Sequence, residues 1–178
     1  GMIIDLSHAG RISCLDAIEI SKKPVVISHA NPSFFHKSIR NIDNDVLINL
    51  SKKNGFIGLS LYPYHLKNLG ECKIDDFCSM IKELINLIGT DNIGIGSDLC
   101  LNWPDDVVMW MRNGKWTKKT DYGESKDKNI KWPKQPYWYE KPSDIKNIFE
   151  AMYKNGIDEQ TAIKIIGRNW LNFMKNHF

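Results

Sequence analysis

The sequence predicts an α/β protein in which short parallel strands, covered on both faces, alternate with amphipathic helices. The strands come from four apolar runs rich in Ile and Val: Met2–Leu6, Pro24–Ser28, Phe56–Leu61 and Asn92–Gly96. None alternates apolar with polar residues, as is usual for strands buried on both faces. Helical patterns fill the intervals, and the crossovers are long enough for parallel pairing.

The first helix is expected over Arg11–Ser21, with Ile12, Leu15 and Ile18 on its apolar side. The second, Asp43–Lys53, carries Val46, Leu47 and Leu50 and stops at Asn54-Gly55. The third, Asp75–Ile88, has the most complete stripe: Phe77, Met80, Ile81, Leu84, Ile85 and Ile88, with Gly89 as its stop. After the last strand the pattern changes. Residues 100–141 hold Trp103, Trp110, Trp116, Trp132 and Trp138, five of the six tryptophans, and show little periodicity. So long an insertion is expected to serve as a lid or an interface. Helices return over Ser143–Lys154, with Ser143 or Asp144 as N-cap, then over Asp158–Ile166 and Asn169–Asn176. No second apolar core is visible, so residues 1–178 are expected to form a single domain.

The 178 residues carry a formal net charge of +3, with lysines scattered rather than clustered. That argues against a nucleic-acid footprint. No apolar run reaches the roughly 18–20 residues needed to span a bilayer. The expected setting is cytoplasmic, and any signal or anchor would be encoded before residue 1. Cys14, Cys72, Cys78 and Cys100 form no C-x-x-C pair and read as reduced structural thiols.

The polar residues fall in telling places. His8 follows the first strand, His29 the second and Asp98 the fourth. "DLSHAGRIS" lacks the G-x-G-x-x-G of a dinucleotide-binding turn, so a barrel-like sheet fits better than a doubly wound one. On a (β/α) barrel, active sites assemble at the C-terminal ends of the strands. Two imidazoles there suit one metal ion, and an aspartate on that rim could ligate a metal or move a proton. Singly, each has a plainer reading: His8 as a helix cap, Asp5 as a partner for a lysine. Arg40-Asn41 is either a surface pair or an anion clamp, for which the planar guanidinium is suited.

Six segments in order, "IIDLSH", "PVVISHAN", "RNIDNDVL", "GFIGLSLYP", "NIGIGSDL" and "IIGRNWLNF", resemble the C-terminal half of the membrane (renal) dipeptidase family, zinc peptidases of the M19 type. The resemblance implies half of a (β/α)8 TIM-type barrel, strands 5–8, in an enzyme that hydrolyses dipeptides with two bridged zinc ions. It implies that His8 and His29 are ligands of one zinc and that Arg40 receives the substrate's terminal carboxylate. Asp98 would handle the proton of the tetrahedral intermediate.

The family's His-x-Asp pair, bridging glutamate and further substrate-binding histidine have no counterpart among these residues. His36 is expected on a solvent-facing loop and His177 in a frayed tail. His65, after the third strand, is the best spare candidate on the rim. Two function classes follow: a metallodipeptidase that acts only with a missing half, or a non-catalytic module that binds small carboxylates or a partner. Four strands cannot close a barrel, so pairing with a second copy or with the missing half is expected.

Overall fold

The computed structural model describes residues 2–107 and 132–177. Most of the insertion, Trp110 and Trp116 included, lies outside them. A parallel sheet in the order β1-β2-β3 forms the centre: β1 is Val26–Ala30, β2 Phe56–Leu59 and β3 Ile93–Ile95. Around it run α1 (Arg11–Ile20), α2 (Asn44–Lys52), α3 (Ile74–Ile88), α4 (Ile145–Lys154), α5 (Glu159–Ile163) and α6 (Asn169–His177). A π-helical turn over Lys164–Arg168 joins α5 to α6.

The expected first strand, Met2–Leu6, is not a regular one. It touches β1 through a single parallel bridge, Asp5 to Val26, flanked by Leu6 N–H to Val26 O at 2.8 Å and Val26 N–H to Ile4 O at 2.9 Å. The chain then curls away, because the Ser7 N–H turns back to the Asp5 carboxylate and the Ala9 N–H closes onto the Leu6 carbonyl. Met2 and Ile4 stay 90% and 51% exposed, so the expectation of burial on both faces fails here. The second strand begins two residues later than its apolar run and so contains His29 instead of preceding it. The last two strands are trimmed at their ends, although Ile57 N–H to Asn92 O and Gly96 N–H to Leu59 O, both 2.9 Å, continue the pairing.

Alternation along the strands separates two cores. Ile27, Ile57, Leu59 and Ile93 face the main core, against the buried stripes of α2, α3 and α4. Val26 and Phe56 face the other way and pack with Phe173, Trp170 and Ile3. The first helix departs from its expected stripe. Cys14 and Ile18 are its buried residues, while Ile12 is 71% exposed. The end of the insertion is core: Trp138 and Tyr139 are buried, and the Trp138 indole lies 5.4 Å from the Phe77 ring and donates to the Cys72 carbonyl at 2.8 Å. Asp144 accepts from the N–H groups of Glu140 and Lys141 ahead of α4, and Asp158 caps α5 by accepting from Thr161 N–H at 3.0 Å.

Three glycines keep the face toward Trp170 thin. A Cβ on Gly58 or Gly96 would sit 2.1 or 1.7 Å from the Ser28 carbonyl oxygen, and one on Gly94 would sit 2.7 Å from the Trp170 indole. Gly96→Ala is therefore expected to destabilise by about 3 kcal/mol or more, the range of serious core clashes. Gly167→Ala, where nothing lies within 4 Å, should be neutral or slightly stabilising. Urea denaturation of the two variants checks both outcomes.

Candidate metal and carboxylate site

His8 stands in the turn after the residue 2–6 segment, and His29 near the end of β1. They meet through their Nε2 atoms at 2.9 Å, with ring centroids 5.0 Å apart. A local irregularity brings His29 there. Between Ile27 and Ala30, β1 spends one more residue than β2 spends between Ile57 and Leu59, a register shift of the kind a β-bulge makes. Bulges re-aim side chains that strict alternation would send to the other face.

The neighbouring pairing rests on Asp5. One carboxylate oxygen accepts from Ser7 N–H at 3.0 Å, Ser7 Oγ–H at 2.6 Å and Ser28 N–H at 3.0 Å; the other accepts from Ser28 Oγ–H at 2.5 Å. Burial pushes this carboxyl up, but the hydrogen bonds outweigh it and hold the group below its usual range. Ser28 Oγ also lies 2.8 Å from His29 Nδ1, and the His29 N–H donates to Ser7 Oγ at 3.1 Å. These contacts replace the lysine partner that Asp5 invited.

Arg40 Nη1 is 2.6 Å from His8 Nδ1. The His8 pKa is lowered, first by burial, then by the Arg40 guanidinium and the neighbouring His29, against the opposing pull of Asp98 and Asp5. A lowered pKa favours the neutral form of the imidazole, the form in which a histidine ligates metals. Asp98 is close enough for its charge to act on His8. Its φ of 51° is left-handed, a conformation that Asp tolerates better than most residues and that tends to occur at functional sites.

A cavity of about 700 Å³ opens beside His8, lined by Arg11, Lys37, Arg40, Asn41 and Asp43. Its Arg40 loop is braced from below. The Asn41 amide donates to the carbonyls of His36 and His65 at 2.7 and 3.0 Å, and its oxygen accepts from Asn31 N–H. Asn31 in turn donates to the carbonyls of Ser60 and His65. Asn41 is thus a buried brace that sets the position of its neighbour.

His65, the spare rim candidate, is buried, with Nδ1 2.8 Å from Ser60 Oγ and its ring edge-on to Tyr62. His36 is half-buried instead of solvent-facing. The His177 ring packs against Phe173 at 4.7 Å. Cys14, Cys72 and Cys78 are buried, and burial pushes the thiols of Cys72 and Cys78 up to about 12, so neither supplies a nucleophile.

The two imidazoles suit a metal ion. Their Nε2 separation is below twice a zinc–nitrogen bond of about 2.0–2.1 Å, so a single ion can reach both. Among the described residues, however, no group of three or more His, Cys, Asp or Glu side chains is arranged to hold a metal. No helix among them is long and apolar enough to cross a membrane.

A family model of the membrane dipeptidases, peptidase family M19, matches residues 1–105. The chain belongs to the membrane dipeptidase family. Dipeptidase tcpJ of Claviceps purpurea is 26% identical over 176 residues, which are 98% of this chain and 34% of that protein. An uncharacterized dipeptidase of Schizosaccharomyces pombe, C965.12, is 32% identical over 100 residues, 55% of this chain and 24% of the other. The chain thus spans about a third or less of the length of these relatives. The crystal structure of an amidohydrolase from Pseudomonas aeruginosa superposes with a TM-score of 0.85 at 28% identity, covering 98% of this chain and 52% of that one. A metallopeptidase from Rhodobacter sphaeroides, crystallised with a phosphinate mimic of the dipeptide L-Ala-D-Ala, shares the fold with a TM-score of 0.74 at 21% identity, covering 98% of this chain and 42% of the other.

Asn41→Ala should destabilise by about 1–3 kcal/mol, the usual effect of removing a partner from buried polar groups; chemical denaturation measures it. A thiol reagent applied to the native protein should modify Cys100, the half-exposed cysteine, and reach the other three only after unfolding. Mass spectrometry of the labelled peptides decides this.

Proposed function

We propose that this chain is the part of a zinc dipeptidase that holds one metal and receives the substrate's carboxylate. The observation that carries the reading is the convergence of His8 and His29 through Nε2 at 2.9 Å with the Arg40 guanidinium alongside. In this reading His8 and His29 hold the metal. Arg40, at the rim of the cavity, binds the terminal carboxylate of a dipeptide through its planar fork. Asp98 carries a proton to the leaving amine. A bound zinc would polarise the scissile carbonyl and make water a nucleophile at neutral pH.

Two histidines are fewer than the three or four protein ligands of a stable site. The remaining ligands, including the His-x-Asp pair and the glutamate, are assigned to a segment outside these residues. The chain alone is accordingly inactive. The residue 2–6 segment and the three strands of the sheet are assigned to strands 5–8 of the barrel, with residues 100–141 as an insertion in one partial domain. This domain associates with the segment outside these residues or with a second copy.

Zinc loading followed by desalting should leave more than roughly a tenth of an equivalent on the wild-type chain and less on His29→Ala. Dipeptide hydrolysis should be absent from the chain alone. It should appear when a polypeptide carrying the His-x-Asp and glutamate motifs is co-expressed, with Arg40→Met then raising KM. Zinc retention without hydrolysis in either preparation would favour the non-catalytic binding module. Light scattering at low micromolar concentration tests association, and a cooperatively melting monomer would exclude the homodimer.

A further inference from the structure

We propose that Asp5 and Ser28 are positioning residues for His29, holding its imidazole with the proton on Nδ1 so that Nε2 carries the free lone pair toward His8. The inference rests on the reading of His29 as a metal ligand, and it concerns how that ligand is prepared. The argument is one of donors and acceptors. An ionised carboxylate only accepts, so the single Ser28 hydroxyl proton is given to Asp5 Oδ2 at 2.5 Å. Toward His29 Nδ1, at 2.8 Å, the Ser28 oxygen is then left only as an acceptor. The proton between them belongs to Nδ1.

The other end of the chain agrees. A guanidinium only donates, so Arg40 Nη1 gives a proton to His8 Nδ1 at 2.6 Å. In the metal-free chain the His8 proton is then on Nε2 and points at His29 Nε2, 2.9 Å away, which must accept; a metal between the two rings would require His8 to give up that proton and its bond to Arg40. Protons are thus ordered in one direction, from Arg40 through His8, His29 and Ser28 to Asp5. Asp5 cannot turn to another partner, since its Oδ1 is fixed by Ser7 N–H, Ser7 Oγ–H and Ser28 N–H. The His29 backbone is pinned as well, by Ser7 Oγ. A metal-binding imidazole needs its outer nitrogen held in this way, with a hydrogen-bond acceptor raising its basicity. Here a serine carries the effect of the carboxylate to the ring.

The test combines long-range ¹⁵N-imidazole NMR of the metal-free chain with calorimetric titration by zinc. It compares wild type, Ser28→Ala and Ser28→Thr, with circular dichroism confirming the fold. His29 in the wild type should show the Nδ1–H tautomer. Ser28→Ala should lose that preference and weaken zinc binding roughly tenfold or more, the scale of such outer contacts, and Ser28→Thr should restore both. A wild-type spectrum with the proton on Nε2 of His29 overturns the proposal without any variant, so it stays testable even if Ser28→Ala does not fold. So does an unchanged tautomer in folded Ser28→Ala. If the tautomer shifts as expected but the wild type takes up no zinc, the positioning role stands and the metal reading falls.

Discussion

The Asp5 carboxylate joins two pieces of backbone that the sheet alone holds weakly. The residue 2–6 segment reaches β1 through one bridge, and Asp5 adds bonds to the Ser28 backbone and hydroxyl across that junction. The relative placement of His8 and His29 depends on it, because each histidine lies within three residues of one end of this clasp. Taking a carboxylate even partly out of water is unfavourable unless its lone pairs are filled. Here they are filled well enough that the carboxyl lies below its ordinary value of 3.8. The sign follows: the stabilising contribution is present above that ordinary value and fades as pH falls through the lowered one.

The same clasp explains what could and could not be read in the sequence. Periodicity located α2 and α3, since Val46, Leu47 and Leu50 and the Phe77–Ile88 stripe are local patterns answered by burial. It misplaced the buried side of α1, because Ile12 repeats at helical spacing on a side that nothing covers. The meeting of His8 and His29 was legible from their positions after strands, while Arg40 beside them was suggested by its guanidinium and by the family resemblance. The bulge at Ser28-His29 was not, as an extra residue in one strand is defined only by its partner. Asp5 and Ser28 are 23 residues apart, and no local signal pairs them. Asn41 was visible as a neighbour of Arg40, but its work lies in carbonyls of His36 and His65 that no side-chain pattern encodes. His65 shows the converse: a residue of metal-binding type at the expected rim is buried against Ser60 and Tyr62.

The two ends of the sheet are finished differently, and the difference bears on the site. Beyond β3, the carbonyls of Ile93 and Ile95 accept from the Asn169 amide and the Trp170 indole, both at 2.8 Å, so α6 takes the place of a neighbouring strand there. Gly94 and Gly58 are small because the same indole lies over them. At the opposite end the sheet closes on the residue 2–6 segment, with Met2 and Ile4 exposed. A barrel strand needs a neighbour on each side, and at this end Met2 and Ile4 leave apolar surface uncovered. His8 follows directly on that segment. The exposed side of the sheet and His8 therefore lie within the same eight residues, so a partner covering Ile4 would also come close to His8.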